Sequence, residues 1–228
     1  VKAAGICGSD IPRIYENGAH KMPLVIGHEF SGIVEKVQND KDNYLLGKKV
    51  GIFPLIPCKK CPMCLKEKYE MCSNYNYLGS RCDGGFAQFA AAPKENLILL
   101  PDNVTCDQAA MLEPMSVAVH AIRRATKNLR ADKDCLIVVS GLGTIGMFVI
   151  MFLIDAGYKK ICAIGNKDFQ REKLATVISS DIRYIETEDD RQISNIKASG
   201  GADIYFDCVG KNESIKRGID ITAPEGTV

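Results

Sequence analysis

Two periodicities divide the chain. From Asp107 onward, short apolar runs alternate with stretches of helical spacing. Strands are expected at 135–140, 161–164, 183–185 and 203–207, and helices at 144–156, 169–178, 190–198 and 212–222. Short apolar strands separated by helices specify βαβ units and a parallel sheet. Ahead of them, Asp107 is placed as the N-cap of a helix running towards Ala125, with Pro114 as the point of a break. A polar turn at 130–134 follows. Residues 1–105 show no helical period. Their runs at 32–37, 49–53 and 85–90, bounded by turn residues, indicate an irregular, mainly β domain. The pattern therefore predicts two domains, 1–115 and 116–228.

Composition excludes several classes. The 228 residues are 46% hydrophobic and 25% charged, with 29 basic and 28 acidic side chains and a net charge of +1. That is globular composition, not that of a disordered chain, a collagen or a highly basic nucleic-acid binder. No apolar run approaches the ~20 residues of a membrane span, so neither nucleic acid nor membrane is an expected partner and a cytoplasmic location is. The opening Val1-Lys2-Ala3-Ala4-Gly5 lacks the pattern of an export signal and reads as the middle of a strand; the end, 224–228, stops where a strand should begin. A piece of a longer chain is the expectation. Ten cysteines without an export signal point to metal or catalytic duty rather than to a disulfide framework.

Four of the ten lie within fifteen residues: Cys58, Cys61, Cys64 and, after seven more residues, Cys72. Four thiolates so close can enclose one tetrahedral Zn²⁺ with no open position. Lys59, Lys60, Lys66 and Lys68 would offset its negative charge. An iron–sulfur cluster is the alternative, although the bacterial cluster run needs a shorter last gap and a following proline. Cys82, Cys106, Cys135, Cys162 and Cys208 read as small core residues, and His120 as a packed helix residue. His20 has no evident metal partner.

A second constellation is spread along the chain. Cys7-Gly8-Ser9-Asp10 precedes Gly27-His28-Glu29 by about twenty residues, and Glu113-Pro114 lies far downstream. Cys, His and Glu can supply three zinc ligands and leave one position open, which is the catalytic pattern. Such a zinc stabilises an alkoxide and permits hydride loss from carbon. On spacing alone, Cys7 and His28 also read as unconnected core residues. Glu29 reads equally as a ligand, as a residue orienting a ligand or as a surface charge.

The strand at 135–140 runs into Gly141-Leu142-Gly143-Thr144-Ile145-Gly146 and then a helix. This is G-x-G-x-x-G in its required setting, a Rossmann fingerprint. The glycines make the turn, admit a pyrophosphate and let helix and strand pack, and the helix N-terminus offers free N–H groups. The acid expected at the tip of the next strand is missing: Gly165 stands there, followed by Asn166, Lys167 and Asp168. Lys167 and Arg171 suit a 2′-phosphate and hence NADP, while Asp168, slightly displaced, suits NAD; both readings stay open. Val209 and Gly210, beyond the strand at 203–207, are placed to touch the nicotinamide side.

Together, Cys7-Gly8-Ser9-Asp10, Gly27-His28-Glu29, the four-cysteine knuckle, Glu113-Pro114 and the glycine loop resemble the zinc-dependent medium-chain dehydrogenases over essentially the whole chain. The resemblance implies a GroES-like, mainly β catalytic domain (1–115) bearing a zinc lobe, and an α/β Rossmann domain with a parallel sheet (116–228). Glu113, and the strings at 7–14, 17–20 and 79–87, look like the polyol branch, in particular enzymes of galactitol 1-phosphate; sorbitol and threonine dehydrogenases are near relatives. The resemblance implies two zincs per chain. Cys7, His28 and Glu113 would hold the catalytic one, with Glu29 near or exchangeable, and Cys58, Cys61, Cys64 and Cys72 the structural one. It implies NAD or NADP as cofactor and Ser9 as the start of a proton path; Pro12 stands where relatives continue that path through a histidine. The substrate would be a polyol or polyol phosphate, with Arg13 and Arg81 as candidates for the phosphate, and the assembly a homodimer or homotetramer. The family's opening strands and closing third are absent from this sequence. Outside the family, the alternative is a non-catalytic iron–sulfur or redox module.

Overall fold

The computed structural model describes residues 1–127, 133–178 and 182–228, so the predicted turn at 130–134 falls largely outside the described residues. The chain divides into two compact units, Val1–Glu113 and Pro114–Val228.

In the first unit, glycine- and proline-punctuated runs pair as an antiparallel sheet. Its strands β1 (Ala3–Gly5), β2 (Glu29–Ile33), β3 (Lys49–Ile52) and β6 (Leu97–Leu99) lie in that order. Phe30, Val50, Ile52 and Leu78 form the core beneath it, each at most 6% exposed. A two-stranded ladder, β4 (Leu55–Ile56) with β5 (Asn76–Tyr77), flanks the cysteine segment. The run at 85–90 is not a strand. Gly85 and Phe86 instead donate single backbone bonds to Gly27 and Ile26, fixing that loop under the residues before β2. The short helix α1 is Asp10–Tyr15.

The helix placed after Asp107 starts earlier and breaks elsewhere. Its N-cap is Thr105, whose Oγ1 accepts from Gln108 N (3.2 Å) while Gln108 Oε1 accepts from Thr105 N (2.9 Å), a capping box. This reciprocal pair satisfies two donors, which an Asp107 cap would not. The helix α2 (Cys106–Ala110) ends at Met111, and α3 (Leu112–Thr126) follows. Pro114 lies in the first turn of α3, where no backbone donor is required, so it does not break the helix. His120 is exposed rather than packed.

The second unit alternates as the pattern predicts: β7 (Leu136–Ser140), α4 (Thr144–Asp155), β8 (Lys160–Gly165), α5 (Asp168–Val177), β9 (Arg183–Glu186), α6 (Asp190–Ala198), β10 (Ala202–Asp207) and α7 (Asn212–Ile221). With β11 (Thr222–Thr227), the strands make a parallel sheet in the order β11-β10-β7-β8-β9. Ile137, Val138, Val139, Ala163 and Ile164 are fully buried, as a sheet covered on both faces requires. The strand β11 (Thr222–Thr227) corrects the expectation that a strand begins only beyond the end. Pro224, Glu225 (φ 66°) and Gly226 disguise it, and an edge strand with a bulge tolerates all three. Among the described residues no helix is long and apolar enough to cross a membrane.

Candidate metal centres and dinucleotide cavity

The four-cysteine segment folds on itself through two residues in the left-handed region, Lys59 and Glu67, both at φ 58°. The sulfurs of Cys58, Cys61, Cys64 and Cys72 all lie within 4.8 Å of one another. Cys58 Sγ is 4.0 Å from Cys64 Sγ, and Cys61 Sγ is 3.9 Å from Cys72 Sγ. A zinc tetrahedron with 2.3 Å bonds has edges of about 3.8 Å, so the set fits that ion without rearrangement. Backbone amides aim at the sulfurs: Cys58 N donates to Cys72 Sγ (3.3 Å) and Cys64 N to Cys61 Sγ (3.4 Å). Such donors pull the Cys61 thiol down to about 5, while burial pushes Cys64 up to about 12. Lys59 spends part of its charge on Glu95, 3.9 Å away.

The second constellation also assembles, with one change of membership. Ligand atoms of Cys7, His28 and Glu29 lie within 4.8 Å of one another. His28 and Glu29 are 5% and 7% exposed, so Glu29 is not a surface charge. They are brought there by β2, which begins at Glu29, and by Gly27, whose φ of 95° turns the chain into the strand against the Phe86 ring. Glu113 adjoins this set rather than completing it. Its Oε1 accepts from the Tyr77 hydroxyl at 3.1 Å, and Tyr77 packs edge-on to His28. Burial and then the Glu113 charge raise the Glu29 carboxyl, and a hydrogen bond to His28 lowers the Cys7 thiol. Burial works against the charged form of His28, but Cys7, Asp10 and Glu113 outweigh it and raise the imidazole. Two crowded carboxylates and a thiol beside a histidine make a donor set that calls for a cation. His28 Nδ1 is buried without a hydrogen bond among the described residues, at 3.5 Å from Asp10 Oδ1.

Sequence reasoning missed Asp10 as a site residue. It is fully buried, accepts from the Cys7 backbone N–H (3.2 Å) and pairs with Arg13. Arg13 is thereby committed to a carboxylate rather than free for a phosphate. Arg81 is different: its guanidinium lies 4.3 Å over the Tyr75 ring and donates to that hydroxyl. Ser9 is exposed and its Oγ donates to Cys7 Sγ at 3.3 Å.

In the second unit, the sheet order reverses between β7 and β10. Outside their carboxyl ends opens a cavity of about 510 Å³. Of the residues expected to meet the cofactor, Gly141, Leu142, Gly143, Gly165, Asn166, Lys167 and Val209 line it, whereas Thr144, Ile145, Gly146, Arg171 and Gly210 do not. The three glycines differ. Gly141 has φ 92°; a Cβ at Gly143 would meet nothing within 4 Å; a Cβ at Gly146 would sit 1.9 Å from the Gly141 carbonyl oxygen. The open face at Gly143 is the space a diphosphate would fill, so the loop fits a dinucleotide. Ser214, buried on α7, donates to Asp207 Oδ1 and lies 3.1 Å from Ser140 Oγ. Asp207 in turn accepts from the Val209 and Gly210 amides and fixes that loop. Burial pushes the neighbouring Cys208 thiol up to about 12. Lys211, Glu213, Ser214 and Arg217 reach the cavity from around α7, a contribution that no local motif announces.

Comparison with known proteins agrees with this architecture. Residues 1–102 match the alcohol dehydrogenase GroES-like domain. The chain is 39% identical to galactitol 1-phosphate 5-dehydrogenase of Escherichia coli (strain K12) over 77% of its own length and 49% of the relative's. It is 34% identical to L-idonate 5-dehydrogenase of Vitis vinifera over its whole length and 64% of that protein. A crystal structure of galactitol-1-phosphate dehydrogenase from Escherichia coli superposes with a TM-score of 0.81 at 31% identity, over 99% of this chain and 66% of that one. The chain thus spans between half and two thirds of the length of these relatives. With the GroES-like unit, the parallel sheet and both cysteine-bearing clusters in place, the chain belongs to the zinc-dependent medium-chain dehydrogenase family.

Proposed function

We propose that this chain is the metal- and cofactor-bearing part of an enzyme that oxidises a secondary alcohol of a polyol or polyol phosphate to the ketone, passing hydride to NAD(P). The observation that carries the reading is the buried Cys7–His28–Glu29 set, with Glu113 beside it, in a chain that also holds a glycine-loop cavity. Zinc held there would polarise the substrate hydroxyl, and the nicotinamide would take up the hydride.

The chain's own residues do the rest. Cys7 and His28 supply two ligands, and Glu29 and Glu113 compete for the third. Asp10 fixes the Cys7 loop through its amide and faces His28 Nδ1, which sets the orientation of the ring. Ser9 stands exposed beside Cys7, where its hydroxyl can accept the substrate proton and hand it to water; Pro12 carries no group to extend the path. Glu29, raised by burial, takes up a proton more readily than an ordinary carboxylate. Cys58, Cys61, Cys64 and Cys72 hold a second, structural zinc, for a total of two per chain. Arg81 is better disposed than Arg13 to meet a phosphate, because a carboxylate already engages Arg13. A homodimer or homotetramer in the cytoplasm accompanies this reading.

Relatives named for galactitol 1-phosphate, L-idonate and D-xylulose support the sugar-alcohol class. The test is a panel of galactitol 1-phosphate, sorbitol, L-idonate, xylitol and threonine on the full-length protein, with metal analysis in parallel. Turnover of a sugar alcohol with two zincs per chain is expected. Turnover of threonine alone, or iron with visible absorbance, would overturn the proposal.

A further inference from the structure

We infer that the cavity selects the 2′-phosphorylated cofactor, NADP(H), and that Lys167 and Arg217 are the residues that determine this choice. The inference rests on the cavity being a dinucleotide site, as proposed above, and deepens it to the identity of the nucleotide.

A Rossmann site that prefers NAD places a carboxylate at the tip of the second strand, where it accepts from the ribose hydroxyls and repels a 2′-phosphate. Here β8 ends in Gly165. A Cβ built there would stand 3.0 Å from Leu142 Cδ1 and 3.3 Å from both Cε2 and the hydroxyl of Tyr184, so the tip is closed to a longer side chain by its own packing. Two nearby carboxylates do not replace the missing one. Asp168 and Glu186 are exposed, neither lines the cavity, and Glu186 accepts from the Tyr184 hydroxyl at 3.2 Å.

Cations take the vacated side. Of the charged residues lining the cavity, Lys167, Lys211 and Arg217 are positive and only Glu213 is negative. Lys167 stands two residues past the strand tip, and its ammonium lies 5.8 Å from the Phe169 ring. Arg217 reaches across from α7 and donates through Nη2 to the Thr187 carbonyl oxygen (3.1 Å), just past the end of β9. That single bond holds the guanidinium at the cavity wall and leaves most of its five donors unused. Among the described residues neither cation has a carboxylate partner. A third, Arg171, is held 5.3 Å over the Tyr184 ring outside the lining, where it adds to the positive field. Two unpaired cations converging on a strand end that lacks its acid are the chemistry of a phosphate dianion, not of a ribose diol.

The test is equilibrium binding to the full-length, zinc-loaded protein, read by calorimetry, with no turnover required. NADPH is titrated against NADH, and adenosine 2′,5′-bisphosphate against ADP. NADPH and the bisphosphate should bind at least roughly tenfold more tightly than their partners, the worth of one charge-assisted contact. Lys167 is exposed, so Lys167→Ala should fold normally; it and Arg217→Gln should each erase roughly tenfold of NADPH affinity and leave NADH within about twofold. NADH binding as tightly as NADPH, or equal losses for both nucleotides in Lys167→Ala, overturns the inference while leaving the dehydrogenase reading intact. Failure of both dinucleotides to bind overturns both.

Discussion

Gly146→Ala and Gly143→Ala separate the two demands made on the glycine loop. At Gly146 a Cβ would lie 1.9 Å from the Gly141 carbonyl oxygen and 3.1 Å from its carbon. Carbon and oxygen approach no closer than about 3.3 Å, so the two backbones must part by about 1.4 Å. Gly141 cannot retreat: its N–H donates to Ile164 O at 2.9 Å, and its own α-carbon faces the Cys208 backbone. The start of α4 must therefore move outward, at an overpacking cost of about 1–3 kcal/mol. The amides that would cradle a diphosphate move with it; losing one or two such bonds weakens dinucleotide binding about ten- to a hundredfold. Gly143 is the control. With nothing within 4 Å and an N-cap φ of −76°, alanine there leaves stability within about 0.5 kcal/mol, but its methyl group enters the diphosphate space. Chemical denaturation and calorimetric titration of the preferred dinucleotide on both variants decide the matter. Gly146→Ala should lose stability and affinity, Gly143→Ala affinity alone. A Gly146→Ala protein as stable and as tight-binding as the parent, or a destabilised Gly143→Ala, would refute the packing argument.

Three further outcomes are expected. Cys64→Ala, which removes a buried corner of the four-sulfur set, should lower the zinc content by one per chain, whereas Cys82→Ala should leave it unchanged; metal analysis after gel filtration distinguishes them. Thr105→Ala breaks the capping box of α2 and should cost about 1 kcal/mol in urea denaturation, with Thr105→Ser recovering most of it. Asp189 caps α6 by accepting from the Gln192 backbone and side chain, which holds its carboxyl below the usual range. A folded-state value below the unfolded one means that its contribution is full above the unfolded value and disappears as pH falls through the folded one. Asp189→Asn keeps the acceptor but cannot titrate, so melting curves from about pH 6 to about pH 2 should show a shallower acid decline than the parent's.

Local chemistry made much of this protein readable in one dimension. A cysteine every third residue bends into one sphere because the chain between has no length to do otherwise. A buried parallel strand ending in G-x-G-x-x-G declares both the strand and the helix that must follow. The βαβ alternation survived as eight elements near their expected bounds because burial on both strand faces and on one helix face leaves a repeating signature. Where no short-range rule applied, the tertiary structure decided. The strand at Thr222–Thr227 was hidden by Pro224 and Gly226, since an edge strand needs only one row of hydrogen bonds. The capping box at Thr105 displaced the expected cap at Asp107 through a side chain three residues on. The second metal constellation joins Cys7 to His28 and Glu29 across about twenty residues, and the pairing of β1 with β2 makes that junction. Only there does it emerge that Glu29 closes on the pair while Glu113 is drawn to Tyr77, and that Arg13 is spent on Asp10. Arg217 reaches the cavity only because α7 packs beside the sheet's point of reversal. Contacts between residues distant in sequence leave no period to read; they exist only once the chain has closed on itself.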